Sequence, residues 1–377
     1  MKVALITNGA FSVANFRGTL IAELAARGAE VAALAPDWTD ETRAATRAVG
    51  AEPVLLSLSR TGTNPVRDGR DLLRMAAQLR RLRPDAVLTY FVKPNVYGTL
   101  AAAVAGVPRR VAMVEGLGTA FEETGGVKRR LLAAVSKSLY RLAFRRADRV
   151  LFLNREDADF FTDERLVDPA KVGRIGGIGV DLRRFAPVPP VSSPVTFLLA
   201  ARLLRAKGVE QFMRAAALVK RTHPATRFVL LGAVDANPET LSAGDIEPWV
   251  ARGVIEWPGH SADVPGWLAQ ASVFVLPSYY REGVPRSIQE AMAAGRPIIT
   301  TDNVGCRDTV EPGVNGFLVP PRAVQPLADA MTRFCEEPAL IAAMGAESRR
   351  LAEERFDARR VDRIVADLLL EPLSSPA

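Results

Sequence analysis

A chain of 377 residues exceeds one ordinary core and suits two domains of roughly 150 to 190 residues each. With 48% hydrophobic and 24% charged residues the composition is that of a soluble globular protein, and two cysteines exclude a disulfide framework, making a reducing cytoplasm the simplest home. The net charge of +7 suits an anionic partner without choosing among nucleic acid, lipid headgroup and nucleotide.

At the amino terminus, "MKVALITNGAF" carries one Lys and a short apolar run ending at Asn8-Gly9, which predicts a first strand and not a signal peptide. Nothing in the chain approaches the roughly 20 consecutive apolar residues that span a bilayer. Buried parallel strands are expected in "VALITNG", "EVAALAP", "PVLLSL", "AVLTYF", "RVAMVE" and "RVLFLN". Helical patterns lie between them over Phe16 to Arg27, Val66 to Arg83, Asn95 to Ala105 and Val127 to Phe144. Such a βαβ series predicts a doubly wound sheet. "FAPVPPVSSPV", residues 185–195, is dense in Pro and Ser and reads as an interdomain linker. The alternation restarts with "VTFLLAA", "RFVLLGA", "VIEWPG", "SVFVLP" and "PIITTD", a second doubly wound domain. The expected organisation is therefore domains at 1–185 and 186–357, with a last helix within 358–377 crossing back to the first. Their natural site is a cleft between the carboxyl ends of the two sheets.

Three stretches carry chemistry. In "AARLLRAKGVEQF" a strand ends near Ala201 and a helix starts after Gly208, so Arg202 and Lys207 stand in the intervening loop. Two cations beside a helix amino terminus are either an anion site suited to a diphosphate or a solvated loop pair. "SVFVLPSYYREGVP" is a buried strand followed by a polar loop. Its helix is expected from Pro285 to Ala294 with Gly295 as the stop. Glu282 then precedes the helix and Glu290 lies inside it, roughly 10 Å or more apart, too far to share a proton. Each suits accepting bonds from neighbouring hydroxyls, one pair on a sugar ring and one on a ribose. Finally, "VKRRLLAAVSKSLYRLAFRRADR", residues 127–149, holds eight basic residues and one acid. Leu131, Leu132, Val135, Leu139, Leu142 and Phe144 form its apolar stripe, which serves either an anionic membrane interface or a core with a solvated basic back.

Several chemistries find no support. There is no Walker loop, and neither "EGLGTAF" nor "GGIGVD" completes a dinucleotide fingerprint. His223 and His260 are the only histidines and the cysteines are isolated, so no metal site is expected. "DAD" at Asp157 to Asp159 reads as a helix surface. No nucleic-acid module is visible.

Glu282 and Glu290 around "GVP", with "ARLLRAKG", "IGVDLRRFAP" and "EPGVNGFLVPP", resemble the retaining glycosyltransferases of family 4. The resemblance covers nearly the whole chain. It implies an α/β GT-B fold, two Rossmann-like doubly wound domains facing across a cleft. It also implies transfer from a UDP-sugar with retention, without metal or other cofactor. Carried over, Arg202 and Lys207 hold the donor diphosphate and Glu282 contacts donor-sugar hydroxyls, the three forming the catalytic set. Glu290 takes the ribose hydroxyls, the amides of Gly283, Val284, Pro285 and Arg286 support sugar and phosphate, and Gly259 and His260 border the base. "NFRGTLI", "VKPNVYGTLAA", "EGLGTAF" and "LFLN" resemble the branch acting on undecaprenyl-diphosphate-linked sugars with N-acetylated hexosamine donors such as N-acetylgalactosamine. On the acceptor side that resemblance points to Asn15, Arg17, Lys93, Asn95, Glu115, Gly116, Gly118 and Thr119. Arg17, Lys93 and Asn95 either meet the acceptor diphosphate or make ordinary loop contacts. Relatives often carry a histidine in this domain, and the sequence has none before residue 223. The implied partners are a UDP-sugar, a lipid-linked saccharide and an anionic membrane surface through 127–149, with no nucleic acid. The implied location is cytoplasmic, on the inner face of the cell membrane. The alternatives are the same transfer to a soluble acceptor, a GT-B sugar-nucleotide epimerase, and a non-catalytic nucleotide-sugar binder.

Overall fold

The computed structural model describes residues 1–58, 64–117, 121, 126–234 and 239–371. The chain divides into two compact units, Met1–Ile178 with Ala358–Ala377, and Gly179–Asp357.

In the first unit, strands β1 (Lys2–Ile6), β2 (Glu30–Ala35), β3 (Ala51–Leu55), β4 (Ala86–Tyr90), β5 (Arg109–Val114), β6 (Arg149–Phe152) and β7 (Val172–Arg174) form a sheet in the order β3-β2-β1-β4-β5-β6-β7. Every neighbouring pair is parallel. Helices α1 (Phe11–Ala26), α2 (Asp40–Ala48), α3 (Pro65–Leu82), α4 (Thr99–Ala105), α5 (Val127–Arg146) and α6 (Arg155–Asp163) cover it. The central strands are near-continuous apolar runs because both faces are covered: Val3, Ala4, Leu5 and Ile6 have no exposed surface.

The second unit repeats the plan. Strands β8 (Thr196–Ala200), β9 (Arg227–Leu231), β10 (Glu256–Gly259), β11 (Val273–Leu276), β12 (Ile298–Thr301) and β13 (Gly316–Val319) lie in the order β10-β9-β8-β11-β12-β13, all parallel. They are flanked by α7 (Val209–Thr222), α8 (Ala243–Ala251), α9 (Val264–Ala269), α10 (Arg286–Ala293), α11 (Val324–Glu336) and α12 (Ala339–Arg355). The order reverses between β1 and β4 and again between β8 and β11, and such switch points open a ligand crevice at the carboxyl ends of the strands.

The terminal helix α13 (Ala358–Leu370) belongs to the first unit and packs on α1. Arg27, just past the end of α1, pairs with Asp367, and Arg109 donates to the Leu369 carbonyl at 2.7 Å.

Several boundaries differ from the sequence expectation. The boundary between the units falls at Ile178/Gly179, not after residue 185, because the following segment docks on the second unit. Val180 donates to Phe356 O at 2.8 Å, and Arg349 donates to the carbonyls of Leu182, Phe185 and Ala293. α1 starts at Phe11 and not at Phe16, its amino end fixed where Ala10 N donates to Asp37 Oδ1 at 2.7 Å. The helix expected from Asn95 opens with a π turn, Pro94–Gly98, before α4. α2, β7 and β13 had no sequence expectation. α2 is short and polar and is started by a Thr39–Thr42 capping box, while the two strands are short edge pieces recruited by pairing.

Candidate functional site

The loops leaving β8 and β11, the two strands at the second switch point, are fastened together. After β8 the chain turns through Arg205–Lys207 to Gly208, whose φ of +78° starts α7. A side chain at Gly208 would place its Cβ 2.1 Å from the Pro277 carbonyl oxygen, so only glycine lets the two backbones approach this closely. The amides of Tyr279 and Tyr280 both donate to Ala206 O, at 2.9 and 3.0 Å.

This seam brings Lys207 to Glu282. The ammonium ion-pairs with the carboxylate, and Ser278 Oγ donates to the same Glu282 oxygen at 2.9 Å. Lys207 Nζ also lies 5.5 Å from the centre of the Tyr280 ring. Glu282 is only 8% exposed, a depth at which a carboxylate requires such partners. The loop after β12 backs the pair. Gly305, at φ +75°, would put a Cβ 2.3 Å from Gly283 O, and Asn303 Nδ2 donates to Tyr280 O at 2.8 Å. Cys306 beside it is pushed up to about 12 by burial, with the Glu282 charge adding to the effect.

Glu290 forms a second ionic site. α10 starts at Arg286, with Pro285 in the capping position rather than in the first turn as expected, and Gly295 ends it at φ +75°. Arg286 Nε donates to Glu290 Oε1 at 2.9 Å across one helical turn. Burial raises the Glu290 carboxyl above its ordinary range, opposed by the charges of Arg286 and Arg184. Gly283, Val284 and Pro285 are buried, and Gln289 Nε2 fixes their turn by donating to Val284 O at 3.1 Å. Arg202 is exposed at the end of β8. Gly259 closes β10 at φ +82° and accepts from Gly232 N at 2.8 Å, with His260 exposed beyond it. The carboxyl edge thus collects Arg202, the Lys207–Glu282 pair, the Arg286–Glu290 pair and the Gly259 turn.

Sequence reasoning missed Ser278, Tyr280, Asn303 and Arg184. The first two stand visibly in "LPSYYREG", beside Glu282, but nothing local says that Ser278 turns to the Glu282 carboxylate and Tyr280 to Lys207. Asn303 and Arg184 arrive from other loops.

In the first unit the expected acceptor residues separate into two groups. Arg17 is 2% exposed, pairs with Glu115, and lies over the Tyr90 ring with its guanidinium carbon 4.6 Å from the centre. Asn95 is 1% exposed, accepting from Thr89 Oγ1 at 2.9 Å and donating to Met113 O at 2.7 Å. Lys93 is held by Asp68 at 2.9 Å, and Tyr97 OH donates to the same carboxylate at 3.1 Å. Burial, with Asp68 adding, pushes Tyr97 up to about 12. Arg17 and Asn95 are therefore internal groups held by partners within the fold, with almost no surface displayed for a diphosphate. Asn15 is half-buried and donates to Phe11 O at 3.0 Å. Glu115 and Gly116, the latter at φ +110°, follow the carboxyl end of β5 and are half-buried. Gly118 and Thr119 lie outside the described residues.

The basic helix α5 splits its apolar stripe between two faces. Tyr140, Ala143 and Phe144 enter the core with Leu139 packed against it, while Leu131, Leu132, Val135 and Leu142 are exposed. Among the described residues no helix is long and apolar enough to cross a membrane.

Comparison with known proteins identifies this architecture. A family model described as "Glycosyl transferase 4-like domain" matches residues 13–177, and one described as "Glycosyl transferases group 1" matches residues 194–337. The chain is 29% identical over 351 residues to the N,N'-diacetylbacillosaminyl-diphospho-undecaprenol alpha-1,3-N-acetylgalactosaminyltransferase of Campylobacter jejuni, covering 89% of this chain and 90% of that protein. It is 28% identical to the UDP-Gal:alpha-D-GlcNAc-diphosphoundecaprenol alpha-1,3-galactosyltransferase of Escherichia coli, covering 73% of this chain and 72% of that protein. In fold it is similar to Anabaena HepE solved with UDP, at a TM-score of 0.77 and 17% identity, covering 97% of this chain and 99% of that one. The sucrose-phosphate synthase of Thermosynechococcus elongatus gives the same TM-score of 0.77 at 18% identity, covering 98% of both chains. With two Rossmann-like parallel sheets and both family models matched in sequence order, the chain belongs to the group 1, family 4-like glycosyltransferases of GT-B fold.

Proposed function

We propose that this glycosyltransferase moves an N-acetylhexosamine, such as N-acetylgalactosamine, from its UDP donor to a polyprenyl-diphosphate-linked saccharide, with retention and without a metal. The observation that carries the reading is the Lys207–Glu282 pair, built from the two loops of the switch point with Arg202 at the same edge. The choice of acceptor is supported by the diphospho-undecaprenol substrates named for the two relatives.

The donor diphosphate takes Glu282's place as the partner of Lys207, with Arg202 closing from the exposed side. The released Glu282 carboxylate then accepts hydroxyls of the donor sugar, while Glu290 accepts those of the ribose, displacing Arg286. Amides of the turn from Gly283 to Arg286 support sugar and phosphate, and Gly259 and His260 border the base. As the bond from the anomeric carbon to the diphosphate breaks, negative charge grows on the leaving phosphate where Lys207 and Arg202 stand. Such preorganised charge typically contributes about 10²–10³ in rate per group. The acceptor oxygen bonds to the anomeric carbon on the face the phosphate leaves, and its proton passes to a phosphate oxygen, which yields retention.

Work at the inner membrane surface is supported by the exposed Leu131, Leu132, Val135 and Leu142 of α5 beside exposed Arg130, Arg145 and Arg146, the composition of an interfacial helix. The test is a panel of UDP-sugars with a polyprenyl-diphosphate-linked saccharide, read by UDP release, product mass and anomeric configuration. Turnover confined to water-soluble acceptors, or conversion of the donor without any acceptor, overturns the proposal.

A further inference from the structure

Each sheet has its own switch point, and in the first unit it lies between β1 and β4. The chain leaves β4 through two uncommon backbone forms. Phe91 stands at φ +71°, in the left-handed region that costs a side-chain-bearing residue free energy. The π turn Pro94–Gly98 follows, fastened where Asn95 N donates to Phe91 O at 2.9 Å. Strained backbone and π turns both collect at functional positions. Lys93 lies between the two.

Of the two cations expected on the acceptor side, Arg17 is 2% exposed, whereas 14% of the Lys93 side chain remains open. Lys93 Nζ donates to Asp68 Oδ1 at 2.9 Å, and Tyr97 OH donates to Asp68 Oδ2 at 3.1 Å. Both carboxylate oxygens are thus engaged, which fixes the carboxylate against the ammonium. Asp68 is 3% exposed and stands in the first turn of α3, where the helix amino terminus offsets part of its charge. An ammonium carries three hydrogens, and among the described residues that of Lys93 bonds only to Asp68. Two hydrogens therefore remain for an anion at the carboxyl end of β4. A lysine free to sample rotamers loses that freedom on gripping an anion, and Asp68 imposes the loss beforehand.

We infer that Asp68 is a positioning residue for the acceptor: with Tyr97 locking its carboxylate, it holds Lys93 at the first unit's switch point to receive the acceptor's diphosphate. This rests on the acceptor class proposed above.

Steady-state kinetics with two acceptors test it, the polyprenyl-diphosphate-linked saccharide and the same saccharide on an uncharged alkyl chain. Asp68→Ala should raise the KM for the diphosphate acceptor about tenfold, the scale of the rotamer freedom a lysine regains, with kcat and the KM for the UDP-sugar within about twofold. The KM for the uncharged acceptor should hold as well, which a general loosening of the first unit would not spare. Lys93→Met should raise the diphosphate KM at least as much. Adding Asp68→Ala to it should change nothing further, because Asp68 acts through Lys93. Asp68→Asn keeps the shape, removes the charge and gives the same comparison if the alanine variant does not fold. The inference is overturned if both acceptors lose equally, if kcat falls without a change in KM, or if the two substitutions multiply. Wild type that turns over only the uncharged saccharide overturns the proposed acceptor class and this inference with it. Normal use of the diphosphate acceptor by the Asp68 variants overturns this inference alone.

Discussion

At the scale of single residues, the two carboxylates of the site differ in how they are held. Glu282 takes an ammonium and a hydroxyl on one oxygen, a polar cluster that a diphosphate can enter by replacing one partner. Under the proposed donor assignment, removing Lys207 takes away a diphosphate partner, and it leaves the buried Glu282 carboxylate with less compensation. Lys207→Ala is expected to lower kcat by about 10²–10³ and to weaken UDP binding. Steady-state rates and calorimetry check this, and full activity in the variant would refute the diphosphate assignment. Glu290 instead sits in a desolvated pocket, its carboxyl raised from the ordinary 4.5. A carboxyl raised on folding holds its proton more readily in the folded chain. Its ionised form therefore costs stability at neutral pH, and that cost disappears as the pH falls through the folded value. The ionised form is also the stronger acceptor for ribose hydroxyls. UDP affinity should thus begin to fall at a pH above 4.5 in the wild type, and Glu290→Gln should flatten this limb while weakening binding at neutral pH. Calorimetric titrations across a pH series distinguish the two curves.

At the scale of elements, the site depends on loops seated against one another without side chains between them. Gly208 against Pro277 and Gly305 against Gly283 are backbone contacts closer than a Cβ permits. Gly208→Ala combines a left-handed backbone with a clash against a carbonyl and is expected to cost at least about 2 kcal/mol. Thermal unfolding of the full chain measures it, and a melting temperature equal to that of the wild type would show that the seam yields. The segment joining the units is fixed by a buried guanidinium as well as by Arg349: Arg296 has no exposed surface, donates to Leu268 O and Val188 O at 2.8 and 2.9 Å, and is lowered to about 10 by burial. Its Pro- and Ser-rich sequence signalled the absence of helix and strand correctly, but composition does not record which surface such a segment lies on. The same limit explains α1, whose first turn depends on Asp37 from a distant loop.

At the scale of the whole molecule, the chain returns to complete its first unit. α13 buries Val361, Val365, Ala366 and Leu369 and is tied by Arg27–Asp367 and Arg109 to Leu369 O. Ending the chain after Asp357 removes three large aliphatic anchors, worth about 1.5–3 kcal/mol each when fully buried, so the first unit should lose on the order of 5 kcal/mol or more. Calorimetry should show a lowered transition for that unit with the transition of Gly179–Asp357 retained, and unchanged melting of both would contradict it.

Alternation of apolar runs with helical patterns was enough to specify two doubly wound sheets, since burial on both faces of a parallel strand leaves a local mark. The spacing of Arg202, Lys207, Glu282 and Glu290 likewise put these four residues at the carboxyl edge of one sheet, because strand ends and helix starts are written in consecutive residues. Only the tertiary structure decided that Lys207 closes on Glu282 and Arg286 on Glu290, and that Arg17 and Asn95 turn inward. These are pairings between loops brought together by sheet order and by backbone contact at Gly208 and Gly305. Attraction between charges distant in sequence leaves no periodicity for a sequence to display.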